Sequence, residues 1–316
     1  MSRVVVVGRS WRLFDEAIRI VEAAGGKVDH LDSVDPEEIA EQCRDADAIM
    51  AILAPIPAVV VERLEHCKVI VRVGVGFDSV DVEAARARHI PVCNVPDYCT
   101  DEVADHALAL TLALSRAIPF LDRSVRVETW KPIIPYPIHS FENLTFGVVG
   151  FGRIGRAAIQ RARGFDYRLA ACDPYVDADV FSEEGVTCMD IDTITAAADI
   201  LSLHCPLTPE TDHLFDAARI AKMKAGAILI NTARGAVVDN HALAEALASG
   251  RLAAAGIDVF EEEPLPPDHP LMACSNALLT PHYAWNSFEA EHRLHRRAAE
   301  EVARALKGEP LRCPVT

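Results

Sequence analysis

The segment GFGRIG, at residues 150–155, has the residue types and spacing that could bind the pyrophosphate of a dinucleotide. It follows a predicted buried strand and opens a predicted helix, and this context gives meaning to a glycine pattern that is weak when it stands alone. Gly150, Gly152 and Gly155 would permit a tight turn and let the backbone approach the phosphates at the helix N-terminus. The segment therefore predicts a dinucleotide site.

The adenine end of that site also has a candidate residue. Asp173 stands eighteen residues after Gly155, at the end of the next predicted strand. A carboxylate there can accept hydrogen bonds from the ribose hydroxyls and would repel a 2′-phosphate. Because no arginine lies among the ten residues that follow, the sequence predicts NAD in preference to NADP.

An arginine, a glutamate and a histidine follow the ends of three later predicted strands. Arg234 ends the segment NTAR, Glu263 follows GIDVFEE, and His282 ends TPH. Ligands of open α/β sheets collect at the carboxyl ends of the strands. Each residue alone could be a surface ion pair or a helix cap, but the three together beside a nicotinamide favour a hydride-transfer site.

Other histidines and cysteines are weaker candidates. His292 and His295 lie three residues apart, but no carboxylates or histidines with metal spacing accompany them, so we expect a solvated helix face and no metal site. His106, within an apolar helical pattern, is expected to be a satisfied hinge or core residue. Cys205 ends a strand near the expected adenine site, where we expect the backbone, including that of Pro206, to contact the cofactor without thiol chemistry.

The elements that must position these residues form two α/β series. In the first hundred residues, apolar runs predict strands at 4–7, 48–53, 69–73 and 91–95, with helical segments such as 36–44 and 59–66 between them. A long helix is predicted from Thr100, its N-cap, to Leu121. Six more strands are predicted at 145–149, 168–172, 200–204, 227–231, 254–258 and 277–280. Apolar strands that alternate with helices predict parallel sheets covered on both faces.

The predicted fold is therefore α/β, with two doubly wound parallel-sheet domains: a Rossmann NAD-binding domain and a flavodoxin-like substrate domain. The NAD-binding domain is assigned residues 100–285. The substrate domain is assigned residues 1–99 and 286–316, because the helices that start near Thr100 and Phe288 would each cross between the lobes. We expect the active site in the cleft between them.

Composition limits the classes of partner. The sequence has 316 residues, 50% of them apolar and 25% charged, which is the balance of a folded chain with two cores. Acidic residues outnumber basic ones by 47 to 31, and the net charge of −16 repels a phosphate backbone or an anionic membrane surface. Neither nucleic acid nor a membrane is an expected partner, whereas a small anion remains compatible with a locally basic site.

The cysteines and the apolar runs bear on location. Nine cysteines, without a CxxC pair, predict reduced thiols and a cytoplasmic protein. Residues 4–7 form too short an apolar stretch for a signal peptide, and Pro55 and Pro57 interrupt the longest apolar run, residues 48–61. The sequence predicts no membrane segment.

The segments GFGRIGR, NTARGAVVD, GIDVFEEEP and TPH, in this order, resemble the D-isomer-specific 2-hydroxyacid dehydrogenase family, and the resemblance covers essentially the whole chain. Residues 71–78, 92–96 and 280–285 are most similar to the C-terminal binding protein branch of that family. The resemblance implies an NAD-dependent dehydrogenase that acts on a small 2-oxo or 2-hydroxy acid, and a homodimer packed through the cofactor-binding domain.

The resemblance also implies roles for individual residues. His282 matches the catalytic acid/base, Glu263 its carboxylate partner, and Arg234 the guanidinium that binds the substrate carboxylate. This fits a histidine that supplies a proton near neutral pH and an arginine that presents two donors to a carboxylate. The cofactor contacts implied by the family are Gly150, Gly152, Arg153, Ile154, Gly155, Asp173, Pro206, Thr232, Ala233, Arg234, Asp258 and His282, of which Asp258 would contact the carboxamide.

The substrate contacts implied by the family include Arg72, the backbone amides of Val75 and Gly76, Arg234 and His282. Trp285 is a further candidate, either beside the substrate or in packing between the domains. Residues 51–57, AILAPIP, carry no polar or basic side chain where many relatives do. An apolar or thioether side chain is therefore expected on the substrate, and a phosphorylated one is not.

Two alternatives to this function stay open. The similarity to the C-terminal binding protein branch also predicts an NAD(H)-sensing binding protein with weak or vestigial activity. Oxidation of an inorganic or one-carbon anion is disfavoured by Trp285 and by the apolar segment 51–57. The substrate, the preferred direction and the pathway are not predicted.

Overall fold

A computed structural model of the chain describes residues 1–9, 12–127, 130 and 134–315. The chain forms two compact units, one of Met1–Cys99 with Ser287–Thr316 and one of Thr100–Asn286. Each unit contains one sheet, with five strands in the first and seven in the second, and every strand pair is parallel. The prediction of two parallel-sheet α/β domains is confirmed.

The first unit has the strand order β2-β1-β3-β4-β5, which is the flavodoxin-like order. Its strands are Ser2–Val7 (β1), Gly26–Leu31 (β2), Ala48–Ala51 (β3), Val69–Arg72 (β4) and Val92–Cys93 (β5). The helices between them are Asp15–Ala23 (α1), Pro36–Gln42 (α2), Ala58–Arg63 (α3) and Val82–Ala87 (α4). The middle strand β3 is buried along its whole length, as expected for a parallel sheet with both faces covered.

The second unit has the strand order β12-β11-β10-β9-β6-β7-β8, a doubly wound Rossmann arrangement with one further strand at its end. Its strands are Thr145–Val149 (β6), Arg168–Cys172 (β7), Thr187–Cys188 (β8), Ile200–Leu203 (β9), Ile228–Asn231 (β10), Ala254–Ile257 (β11) and Ala277–Leu279 (β12). Its helices are Thr100–Ser115 (α5), Ile118–Arg126 (α6), Arg153–Arg163 (α7), Ala178–Glu183 (α8), Ile191–Ala197 (α9), Ala217–Lys222 (α10) and Asn240–Ala248 (α11). The strand order reverses between β6 and β9, which is where such folds bind nucleotides.

The last helix, α12 (Phe288–Lys307), packs on α1 in the first unit. Here the ring of Phe14 stacks on His292, with centroids 4.2 Å apart, and lies 4.6 Å from the His295 ring. His295 is 1% exposed, and burial, with a smaller effect of His292, lowers its pKa to about 4. The expectation of a solvated helix face was wrong for His295, which is buried, whereas His292 is partly exposed beneath the Phe14 ring.

The structure corrects three predictions about single elements. The helix predicted over residues 100–121 is two helices, since α5 ends at Ser115 and α6 restarts around Pro119, which has no backbone N–H to continue the first helix. Thr100 is the first helical residue and not the N-cap. The edge strands β2 and β8 were not predicted, because their sequences, GKVDHL and TC, lack a continuous apolar run.

In the described part of the chain, no helix has the length and apolar character needed to cross a membrane. All nine cysteines lie within the described residues and are free thiols.

Candidate active site

The register of the second sheet brings the predicted site residues to one edge. Val149 pairs with Cys172 and Leu203, and the same row continues through Asn231, Ile257 and Leu279. The residues that follow these strand ends therefore lie along one carboxyl edge of the sheet, although they are separated by up to 130 positions in the sequence (280 − 150).

The glycine loop between β6 and α7 is shaped by close backbone contacts. A methyl group placed on Gly150 would lie 2.6 Å from the Cys205 nitrogen, and one on Gly155 would lie 2.0 Å from the Gly150 oxygen. A methyl group on Gly152 would meet no atom within 4 Å. The loop thus leaves open space above Gly152, at the N-terminus of the eleven-residue helix α7, where an anionic group is favoured.

The carboxylate of Asp173 is oriented by two backbone donors next to this loop. The Phe151 nitrogen donates to Oδ2 at 2.8 Å, and the Tyr175 nitrogen donates to Oδ1 at 3.0 Å. Across the loop, burial raises the pKa of the Cys205 thiol to about 11, so that thiol stays protonated at neutral pH. An oriented carboxylate and the cradle above Gly152 fit a dinucleotide without a 2′-phosphate.

The loop after β10 is held by a residue that sequence reasoning did not select. Asn231 is fully buried, and its side chain donates to the Arg234 oxygen at 2.9 Å and accepts from the Ala233 nitrogen at 3.0 Å. The Arg234 guanidinium donates to the Ala233 oxygen at 2.8 Å. The Thr232 hydroxyl is buried and has no hydrogen-bond partner among the described residues, so a bound group could supply one.

Glu263 and His282 form the central contact of the site. Glu263 Oε2 lies 2.7 Å from His282 Nδ1, and Glu263 Oε1 accepts from the Phe260 nitrogen at 2.9 Å. Burial opposes ionisation of Glu263, but the His282 hydrogen bond, together with smaller effects of Phe260 and Arg234, places its pKa below the ordinary value. Glu263 is therefore a carboxylate near neutral pH.

The turn that presents His282 depends on Asp258. His282 has a left-handed backbone with φ of +54°, and its nitrogen donates to the Asp258 oxygen at 2.7 Å. The Asp258 carboxylate is 1% exposed and accepts from the Tyr283 and Ala284 nitrogens, both at 2.9 Å, and from the Thr280 hydroxyl. The Asp258 side chain thus binds donors within the protein that fix this turn. Its contact with the carboxamide of the cofactor stays a prediction.

His106 extends this hydrogen-bonding group from α5. Its Nε2 lies 3.0 Å from the Thr280 hydroxyl and 3.7 Å from Asp258 Oδ1. The expectation that His106 is a satisfied residue agrees with these contacts. The Trp285 indole donates to the His282 oxygen at 3.0 Å and so contributes to the same turn.

In the first unit, the predicted substrate contacts are Arg72, the last residue of β4, and Val75 and Gly76 in the loop that follows. A methyl group on Gly74 would lie 1.4 Å from Arg72 Nη1, so only glycine lets the guanidinium lie over this loop. Asn94, which sequence reasoning did not select, donates to the Val75 oxygen at 2.6 Å. That contact orients the peptide between Val75 and Gly76.

The apolar segment 51–57 is largely part of the core of the first unit. Ala51, Ile52, Ala54 and Ile56 are buried, whereas Leu53 is 61% exposed with φ of +53°. Leu53 is thus the one exposed side chain of the segment, while Pro55 and Pro57 are partly buried. Among the residues that the structure describes, no group of three or more histidine, cysteine, aspartate or glutamate side chains could bind a metal ion.

Comparison with known proteins assigns the family. The family model "D-isomer specific 2-hydroxyacid dehydrogenase, NAD binding domain" matches residues 108–284. A glyoxylate reductase of Korarchaeum cryptofilum is 40% identical over 86% of this chain and 83% of its own length. The chain belongs to the D-isomer-specific 2-hydroxyacid dehydrogenase family. The prediction of NAD as cofactor is confirmed by the family model and by the structure of a D-lactate dehydrogenase complexed with NAD.

Other similar proteins differ from one another in length and in name. A D-3-phosphoglycerate dehydrogenase of Methanocaldococcus jannaschii is 38% identical over 94% of this chain, which spans only 56% of that relative. The crystal structure of the TT0316 protein from Thermus thermophilus has a TM-score of 0.87 at 36% identity, and it covers 99% of this chain and 100% of its own.

A D-lactate dehydrogenase from Aquifex aeolicus, complexed with NAD and lactic acid, has a TM-score of 0.84 at 26% identity, with 97% of this chain and 96% of its own covered. These relatives do not test the assignment to the C-terminal binding protein branch, which stays a prediction.

The open space above Gly152 leads to a test of the phosphate loop. We expect Gly152→Ala to fold as the wild type does, because its methyl group meets no atom, but to weaken NADH binding by about tenfold or more by filling the space for the pyrophosphate. Fluorescence titration with NADH and thermal unfolding measure the two effects. Gly155→Ala is the matched contrast and should destabilise the unit itself. Wild-type NADH affinity in Gly152→Ala would contradict this site.

Proposed function

We propose that this protein is an NAD-dependent oxidoreductase that interconverts a small 2-oxo acid and the corresponding D-2-hydroxy acid. The observation that carries the proposal is the 2.7 Å contact between Glu263 and His282, at the same sheet edge as the Arg234 loop and the phosphate loop. A charged acid/base pair, an arginine and a dinucleotide loop are the parts that reduction of a 2-oxo acid requires.

His282 is proposed as the acid/base. Bound NADH would supply the hydride, and the substrate oxygen would need a proton as its carbonyl is reduced. Glu263 occupies Nδ1 of His282, which leaves Nε2 for the substrate oxygen. The carboxylate fixes the ring orientation, so that reduction can draw on a proton held at Nε2.

Arg234 is proposed to bind the substrate carboxylate with its guanidinium, which stays charged at any working pH. Arg72 and the backbone amides of Val75 and Gly76 are proposed as further carboxylate contacts, as the family resemblance implies. The residues proposed to contact the cofactor are Gly150, Gly152, Arg153, Ile154, Gly155, Asp173, Pro206, Thr232, Ala233, Arg234, Asp258 and His282. Residues 100–285 would be the NAD-binding domain, and residues 1–99 with 286–316 the substrate domain.

The proposed substrate has an apolar or thioether side chain. Leu53, the exposed member of the apolar segment, and Trp285, next to the His282 turn, support this proposal. A phosphorylated side chain is disfavoured because the segment 51–57 supplies no cation.

A panel of 2-oxo acids with NADH, followed by the loss of NADH absorbance, tests this function. We expect turnover by the wild type on at least one apolar or thioether 2-oxo acid. His282→Ala should lower kcat by about a hundredfold or more, the size typical of a lost acid/base, while NADH binding stays nearly intact. No turnover on any member, with tight NADH binding retained, would favour a nucleotide-sensing binding protein instead.

The pH profile tests the role of Glu263. The His282 contact places the pKa of Glu263 below its ordinary value, so the carboxylate should stay ionised and continue to support reduction as the pH falls from neutral to about 5. Glu263→Gln keeps a hydrogen-bonding side chain but removes the charge, and it should lower kcat/KM by about tenfold across that range. The measurement is kcat/KM for 2-oxo acid reduction between pH 5 and 10. A Glu263→Gln profile equal to that of the wild type would show that Glu263 does not support the acid.

The protein is further proposed to be a homodimer in the cytoplasm. Free thiols at all nine cysteines are typical of a reducing compartment. Large apolar side chains are exposed within one stretch of the second unit, which is typical of a surface that another chain covers. These are Ile118, Val125, Val127, Trp130 and Ile138.

Sedimentation velocity tests the dimer. The wild type should sediment at twice the chain mass of 34.4 kDa. Val125→Asp, on the exposed face of α6, should shift the population to monomer at micromolar concentration, because a charge would be buried at the interface. A monomeric wild type would refute the dimer, whereas an unaffected Val125→Asp dimer would place its interface elsewhere.

A further inference from the structure

The loop that carries Arg234 and the loop that carries Glu263 touch each other through their backbones. A methyl group placed on Gly235 would lie 1.9 Å from the Phe260 carbonyl carbon and 2.4 Å from the Glu261 nitrogen. Gly235, the residue after Arg234, thus packs against the peptide between Phe260 and Glu261, which precedes Glu263 in the same loop. A shift in one loop must displace the other.

The side chain of Glu261 connects this contact to two other segments. Its Oε1 lies 2.6 Å from His213 Nε2, and its Oε2 accepts from the Asn240 nitrogen at 2.8 Å. His213 lies after β9, and its own nitrogen donates to the Ala236 oxygen at 2.7 Å. One carboxylate therefore joins the loops that follow β9, β10 and β11.

Asn240 makes the connection on the side of Arg234. It is 1% exposed, and its side-chain amide donates to the Val238 oxygen at 2.7 Å, while its Oδ1 accepts from the Glu261 nitrogen at 3.4 Å. Its backbone nitrogen, at the start of α11, is one of the donors that a helix leaves unsatisfied, and Glu261 satisfies it. The segment from Arg234 to Asn240 is thereby tied at both ends.

We propose that Glu261 is a positioning residue for the site: with His213 and Asn240 it fixes the Arg234 loop against the Glu263 loop. Both of its carboxylate oxygens are occupied by protein donors, so Glu261 acts through its neighbours and not on the substrate. The backbone nitrogen of Phe260, the residue before Glu261, donates to Glu263 Oε1 at 2.9 Å. A displacement of Glu261 would therefore also displace Glu263 and, through it, His282. The inference rests on the proposed dehydrogenase function for its kinetic effects, but not for its effect on His282.

The charges around this group are few. The pKa of His213 is raised first by the Glu261 hydrogen bond and further by Asp212 and Asp239, and His269 also faces Glu261. His282 and Arg234 are the ionisable side chains that lower the pKa of Glu263. Glu262→Ala removes the same charge as Glu261→Ala from the adjacent position, so an effect on His282 that appears only in Glu261→Ala comes from geometry.

The test compares Glu261→Ala, Glu261→Gln and the adjacent Glu262→Ala in the full chain. We expect Glu261→Ala to lower kcat for 2-oxo acid reduction by about tenfold, the size of effect that misplaced catalytic groups produce, with KM for NADH changed by less than about twofold. Glu261→Gln should keep at least about half of the wild-type kcat, because its amide oxygen can still accept from Asn240. Glu262→Ala, one residue along the same loop, should match the wild type.

A second readout does not need turnover. The ring signals of His282, assigned by their loss in His282→Gln, are recorded by NMR at one pH in the wild type, Glu261→Ala, Glu262→Ala and Glu263→Gln. In Glu261→Ala these signals should move from their wild-type chemical shifts in the same direction as in Glu263→Gln but by less, whereas in Glu262→Ala they should stay in place. This result is expected whether or not a substrate has been found.

The outcomes separate the two proposals. A wild type without turnover on any 2-oxo acid refutes the dehydrogenase function, while the NMR comparison still decides the role of Glu261. Unchanged His282 chemical shifts in Glu261→Ala, where Glu263→Gln moves them, overturn the positioning role. So does a parallel loss of kcat, NADH affinity and thermal stability in Glu261→Ala, since that pattern describes a general folding defect.

Discussion

Asp258 places a carboxylate at the end of β11 with 1% of its surface exposed, and such a group is tolerated only when donors surround it. The donors are the Thr280 hydroxyl and the backbone nitrogens of Tyr283 and Ala284. Satisfying them forces the chain after β12 into a turn in which His282 takes a left-handed backbone. The buried Asp258 carboxylate and this turn therefore require each other, and together they set the position of the His282 imidazole.

The same turn determines the chemistry of the pair. Once His282 is fixed, its Nδ1 meets Glu263, whose second oxygen is held by the Phe260 nitrogen. Because both oxygens of Glu263 are hydrogen-bonded, this carboxylate holds the imidazole in one orientation, with Nε2 directed away from Glu263. Asn231 has the corresponding role for Arg234, because its side chain binds both the Ala233 nitrogen and the Arg234 carbonyl oxygen.

The small residues at this edge have different reasons for being small. Gly155 and Gly235 face backbone atoms that leave no room for a methyl group, so they secure the packing of loop on loop. Gly152 faces open space, so the fold does not require a residue without a side chain there. Packing thus explains the glycine at two of these positions but not at the third.

The sequence was enough to predict the two α/β units, the parallel strands and the candidates Arg234, Glu263, His282 and Asp173. Periodicity and glycine spacing are local, and the carboxyl ends of parallel strands must meet at one edge. The sequence could not show that Phe14 covers His292 and His295, that Leu53 alone of its segment is exposed, or that Glu261 joins three loops. Those facts depend on contacts between residues far apart in the chain, because strand register and loop packing determine the neighbours of each side chain.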